Sequence, residues 1–412
     1  MRDVLTLFLL AIAVSCVAQT DSLFIDAEFN DHNLDVRATY YYIHRGIPTD
    51  SLYFTLNPAA IITSIDSPLL GNHRMAQRKD QPFPARLVKL TSPVDEGTVV
   101  TVQFNYRLDL LKTNYWKYDW CELMVDQFWY PNARTVTNAF TSRTIVRNVP
   151  SGYRLFSYLP HQEIGPHTYQ IIQAEPFPET SFLLGKDMKR VTRRKGALSI
   201  DFFAATSVPD STLQSMFEKV STSLELFNGS FGKAAPVEKL TLALRPVPRN
   251  VAGSQTTRNF MILTSAEFNT WGDLSHELGH FWWNKANFIR EPWLNESFAN
   301  YTMLMILDRF DTPKSASVQT RIEKTKALPG AVATTGVFTK DGFPIYYFKG
   351  AALLKELEKE IGRQKMQELL ANLVKTRTST TEGFLSALEA VAGPNVSKNF
   401  GVSLRNELPR EP

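Results

Sequence analysis

Residues 275–284 read SHELGHFWWN, two histidines bracketing a glutamate at a spacing that a helix turns into a site. Leu274, Leu278, Phe281 and Trp282 recur at i, i+4, i+7 and i+8, the apolar stripe of a helix laid on a core. His276 and His280 lie four apart on another stripe, so both imidazoles project from one face. Neutral imidazole nitrogens about 2.0–2.1 Å from zinc are what such a pair supplies. Glu277 stands one residue off that stripe, where its carboxylate can serve a water without ligating the metal. The motif is short enough to arise by chance, and a pair of hydrogen-bonded core histidines is the ordinary alternative. A third ligand tips the balance. A catalytic zinc takes three protein ligands and keeps a fourth position open. PWLNESFANY, residues 292–301, offers Glu296 on the next helical segment, with 15 residues between it and His280. That is enough chain to end one helix, turn and come back.

Outward from the motif the texture of the chain changes twice. Between about residues 20 and 185 it reads as strands: LDVRATYYYIH (34–44) and TVVTVQFNYRL (98–108) alternate, the second putting Val100, Val102, Phe104 and Tyr106 on one face. Turn signals such as PLLGNHR and VPSGY separate the runs, so an all-β domain is expected over 20–185. Its histidines (His32, His44, His73, His161 and His167) lack ligand spacing and suit surface or hydrogen-bonding roles. The basic, core-free stretch 186–195 reads as a linker. A second domain is expected over 196–408, where LSIDFFAA, EKLTLALRPV and NFMILT read as strands and DSTLQSMFEKVSTSLELF as a helix. From residue 270 onward the period is mostly helical, most clearly in YYFKGAALLKELEKEIG. The fold class is therefore multidomain α+β.

Composition bounds the rest. At 412 residues, 43% hydrophobic and 21% charged, the chain is ordinary globular protein of two or three domains. A net charge of +4 gives no reason to invoke nucleic acid. Arg2 followed by the apolar run VLTLFLLAIAV marks residues 1–18 as a secretory signal, too short for a permanent span. Cleavage after Ala18 would release a secreted or periplasmic protein; acylation at Cys16, in AVSC, would anchor it by lipid at the cell surface. Both routes mean export. After cleavage at Ala18 Cys121 would be the remaining cysteine, read as a small buried hydrophobe.

HELGH followed by WLNESFANY resembles the aminopeptidase N family of zinc metallopeptidases, gluzincins that include the leukotriene-hydrolysing aminopeptidases. The family carries W-L-N-E-G-F-A after a longer interval, and Ser297 here replaces its glycine. Tyr347, Lys349 and Gly350 match the family's Y-x-K-G, whose tyrosine hydrogen-bonds the oxyanion of the tetrahedral intermediate. The family's G-A-M-E-N strand, whose glutamate grips the substrate's free amine, corresponds to VAGSQTTRNFMIL, with Gly253 and Gln255 in the substrate-binding positions. Glutamine keeps an acceptor oxygen and loses the charge, which weakens the feature that makes relatives strict aminopeptidases. Glu296, or a carboxylate of the β domain in the segment with Asp126 and Gln127, could compensate.

The resemblance implies a saddle-like N-terminal β domain followed by a thermolysin-like zinc peptidase domain, with one Zn2+ per chain. It implies peptide substrates, with His276, His280 and Glu296 holding the ion, Glu277 as general base and Tyr347 as oxyanion donor. Larger relatives continue into a helical domain over the active site, so a partner or second copy could cover the cleft here. Two other readings stay open: a peptidase indifferent to the free amine, and a zinc-bearing binding module without catalysis.

Overall fold

The computed structural model describes residues 20–77, 84–133, 138–247, 253–257 and 261–405. The expected signal segment, with Ala18 and Cys16, lies outside the described residues. The chain divides into two compact units, residues 1–188 and 189–412.

The first unit is built from strands because its apolar residues alternate. Val99–Asp109 buries every second side chain, and Val100, Val102, Phe104 and Tyr106 are all essentially inaccessible. Its neighbour Asn33–Ile43 pairs antiparallel in the register Tyr40–Val102, Ala38–Phe104 and Val36–Tyr106, so both strands turn their apolar face the same way. Seven strands form the main sheet, in the order 161–165, 168–177, 140–147, 21–30, 33–43, 99–109, 61–66. Asp21–Asn30 and Phe140–Arg147 run parallel in it. Two four-stranded sheets complete the unit. The face is closed by aromatic packing, for example Phe54 edge-on to Phe104 with centroids 5.0 Å apart. Here His44 and His161 meet backbone carbonyls, of Ile47 at 2.7 Å and Leu159 at 2.8 Å. Cys121 is fully buried, and burial pushes its thiol well above the usual value.

The second unit opens on a five-stranded sheet in the order Met188–Lys195, Leu198–Ala205, Lys239–Leu244, Met261–Thr264, Gln255–Thr256. The central three strands are parallel, and the short strand Gln255–Thr256 runs antiparallel at the edge. The stretch expected to be a linker is therefore structured: Lys186 ends the strand Phe182–Lys186, and Met188–Lys195 is the outer strand at the opposite edge. Arg190 and Thr192 both bind Asp201 on the adjoining strand, at 2.7 and 2.5 Å. Arg193 and Lys195 pair with Asp210 and Glu225, each at 2.6 Å. Charged side chains are what an edge strand carries against unwanted pairing, and only Met188 of this strand is buried, so no alternation betrays it.

Helices follow at Asp210–Ser230, Trp271–Gly279, Trp293–Phe310, Thr312–Thr325, Gly350–Ile361, Arg363–Thr376, Thr381–Ala392 and Pro394–Arg405. One core joins Phe202, Leu242 and Ile262 of the sheet to Leu224 and Phe227 of the first helix and to Leu274 and Leu278 of the motif helix. Leu274, Leu278, Phe281 and Trp282 are all buried, as their spacing requires. No described helix is long and apolar enough to cross a membrane.

Candidate metal centre and active site

The motif helix Trp271–Gly279 starts on a Thr270 cap, whose hydroxyl oxygen accepts from the Asp273 amide at 3.1 Å. His280 follows at its C-cap with helical dihedrals, so the i, i+4 relation to His276 survives the end of the helix. The helix Trp293–Phe310 packs against it very closely. A Cβ on Gly279 would stand 2.8 Å from Thr302 Oγ1 and 3.1 Å from Ala299 Cα, so only glycine permits this approach. The approach brings Glu296, in the first turn of the second helix, under the two imidazoles.

His276 Nε2 and His280 Nε2 are 3.3 Å apart, and each is 3.5 Å from Glu296 Oε2. A tetrahedron whose centre lies about 2.0–2.1 Å from its corners has edges of about 3.3–3.4 Å, so the triangle has the size of three zinc ligands. Glu296 Oε2 is also buried without a hydrogen-bond donor from the protein, which is costly for a carboxylate unless something else satisfies it. Three ligand atoms, two imidazole nitrogens and one carboxylate oxygen, leave room for a fourth: the donor set fits a catalytic zinc.

Other contacts orient these side chains. Asn300, one helical turn beyond Glu296, offers its Oδ1 to His276 Nδ1 at 3.0 Å, leaving Nε2 for the centre. His280 Nδ1 faces the Trp283 carbonyl at 3.3 Å. Burial alone would push the Glu296 carboxyl up, but the charges of His280 and His276, with contacts from His276 and Tyr347, hold it below its usual value. Burial would lower His276, and Glu296 with the Glu277 charge more than reverses it.

Tyr347 comes from a π-helical turn, Ile345–Lys349, that leads into the helix Gly350–Ile361. Two side chains of the Glu296 helix grip that turn. Ser297 Oγ donates to the Tyr346 carbonyl at 2.6 Å, and Asn300 Nδ2 to the Tyr347 carbonyl at 2.8 Å. Ser297 fits because its neighbour is Gly350, where a Cβ would collide with its hydroxyl. Lys349 is buried and donates to the Leu328 and Gly330 carbonyls at 2.7 and 2.9 Å, tying the turn to the loop before it. The Tyr347 ring stacks between His276, with centroids 5.9 Å apart, and the half-exposed Phe343, at 4.1 Å. Burial first, then the Glu296 carboxylate, push its phenol far above the usual value, so it stays a donor.

Glu277 is buried beside the triangle, and its carboxylate Oε2 accepts from Thr256 Oγ1 at 2.7 Å. Thr256 stands on the edge strand next to Gln255, which pairs with Leu263, and the carbonyl of Gly253 is held by Arg245 Nη1 at 2.6 Å. The edge strand thus abuts Glu277 through Thr256. In the first unit Gln127 spends its Oε1 on the Met124 amide at 2.5 Å, capping its own turn. The five residues His276, Glu277, His280, Glu296 and Tyr347 stand together. Asn300, Ser297 and Thr256 join them, and the first of these could have been read from its i+4 spacing to Glu296.

No family model matches the chain. Among curated proteins, Aminopeptidase M1-D of Oryza sativa subsp. japonica is 25% identical over 202 residues, 42% of this chain and 23% of that protein, so the match spans about a quarter of the relative. Among solved structures, a two-domain M1 zinc metallopeptidase with bound L-tryptophan superposes with a TM-score of 0.70 at 17% identity, covering 96% of this chain and 97% of that one. An M1 zinc metallopeptidase from Deinococcus radiodurans gives 0.68 at 17%, covering 95% and 94%. A variant of the Deinococcus radiodurans enzyme bound to a Tyr-Ser-Ala substrate gives 0.66 at 17% identity, covering 95% and 96%. The chain has the two-domain fold of the M1 zinc metallopeptidases. The fold that the motifs implied is the fold observed.

Proposed function

We propose that this chain is a zinc-dependent peptidase that removes N-terminal residues from peptides. The observation that carries the proposal is the triangle of His276, His280 and Glu296, with Glu277 and the Tyr347 hydroxyl beside it. Those three residues would hold the ion, and zinc when bound supplies Lewis acidity that acidifies water and polarises a carbonyl. The remaining chemistry belongs to the chain. Glu277 takes the proton of the attacking water and returns it to the leaving amine. Tyr347, kept protonated by its surroundings, donates to the carbonyl oxygen as it becomes the tetrahedral oxyanion. Gln255 of the edge strand, with Gly253 just before it, would receive the peptide, Gln255 accepting from the amino terminus. The bound peptide and amino acid of the solved relatives support peptide substrates for this fold.

The test is a cleavage assay on the zinc-loaded chain with peptides of free amino terminus and the same peptides acetylated, read by mass. Release of single residues from the free set only is expected. Internal cuts in both sets would favour a peptidase indifferent to the amine, the second reading that Gln255 motivates. Zinc bound with no cleavage would mean a binding module. Export is part of the proposal: the mature chain should begin at Gln19 or carry lipid on Cys16, which its intact mass distinguishes.

A further inference from the structure

Thr256 sits on a two-residue strand, 21 positions before the glutamate it touches, and nothing in the zinc motif calls for it. Its hydroxyl lies 2.7 Å from Glu277 Oε2 and also 2.7 Å from the Glu277 backbone carbonyl. A hydroxyl has one proton to give, so the two acceptors of a single residue share it. The hydroxyl can reach the side chain and the backbone of Glu277 together only if that side chain folds back in one conformation. Left alone, the terminal torsion of a glutamate is broad. A threonine, by contrast, is stiff at its first torsion, and here its backbone is fixed by pairing with Ile262.

We infer that Thr256 is a positioning residue for the general base. It holds Oε2 of Glu277 by hydrogen bond and so presents Oε1 to the attacking water. The inference rests on the proposed role of Glu277 as proton acceptor. It makes the edge strand serve two purposes: Gln255 faces the substrate, and its neighbour sets the base. Misplacing a catalytic group by about 1 Å costs on the order of 100-fold in rate, so a freed carboxylate should show as a loss of turnover.

The experiment uses the full zinc-loaded chain and the variants Thr256→Val, which keeps the shape and removes the hydroxyl, and Thr256→Ser, which keeps the hydroxyl. Thr256→Val should lower kcat roughly 10- to 100-fold with KM within about two-fold, and Thr256→Ser should restore most of it. Zinc affinity, read by competition with a chelating dye, should stay the same in both. Combined with Glu277→Gln, Thr256→Val should cause no further loss, because it acts only through that carboxylate. Unchanged kcat in Thr256→Val, or a raised KM alone, would overturn the inference and leave the base intact. Normal turnover in Glu277→Gln by itself would instead bring down the reading of Glu277, whatever Thr256 does. Should Thr256→Val fold poorly by thermal unfolding, Thr256→Ala carries the same expectations.

Discussion

Two buried carboxylates, one in each unit, show what separates a structural site from a working one. Asp21 in the β unit has no exposed surface, and the protein surrounds it with donors. The Tyr40 hydroxyl, the Ile43 amide, the Asn138 amide nitrogen and the Arg45 guanidinium lie 3.3, 3.1, 2.9 and 3.3 Å from its oxygens. Glu296 in the helical unit is nearly as buried, yet no donor lies within hydrogen-bond geometry of its Oε2, and the imidazole nitrogens of His276 and His280 stand 3.5 Å away. A fold that had no use for an ion would close such a gap, since an unsatisfied buried carboxylate is expensive. On the proposed function, this difference in completeness is what separates a metal ligand, Glu296, from a fastening, Asp21.

That contrast can be broken by mutation, beginning where the effect is largest. Glu296→Ala should abolish zinc binding at micromolar metal, measured by metal content after gel filtration, while the thermal midpoint of the zinc-free chain stays or rises. Tyr347→Phe should lower kcat about 100-fold with KM nearly unchanged, because in the proposed reaction the phenol donates to the oxyanion as it develops. Steady-state kinetics would show a raised KM instead if Tyr347 merely bound substrate. Asp21→Ala should do the reverse of Glu296→Ala: a loss of about 2 kcal/mol in stability by denaturant unfolding, with zinc affinity intact. Asn300→Ala should weaken zinc about 10-fold, and it should also lower kcat because the Tyr347 turn loses its anchor. An Asn300→Ala chain with normal zinc affinity would show that His276 needs no orienting partner.

Legibility followed the range of the interaction. The stripe Leu274–Leu278–Phe281 and the pair His276–His280 are local facts of helical period, so they could be read directly. Glu296 could be read because a helix, a turn and a return fit the 15 intervening residues. The strand Met188–Lys195 could not, because its partners Asp201, Asp210 and Glu225 turn charge into structure only once the chain has folded. The π-helical turn at Tyr347 was equally hidden: its sequence has the period of an ordinary helix, and its distortion is stabilised by Ser297 and Asn300 from another element. Ser297 illustrates the limit well. As a departure from a family motif it gives no hint that its hydroxyl is spent on the Tyr346 carbonyl.

The most direct test of the account compares the chain with its Glu277→Gln variant, measuring zinc content and peptide hydrolysis on the same preparations. The account predicts one zinc per chain in both proteins and a loss of turnover of about 1,000-fold in the variant. A variant that hydrolyses peptides at the normal rate, or a native chain that takes up no zinc, would contradict it.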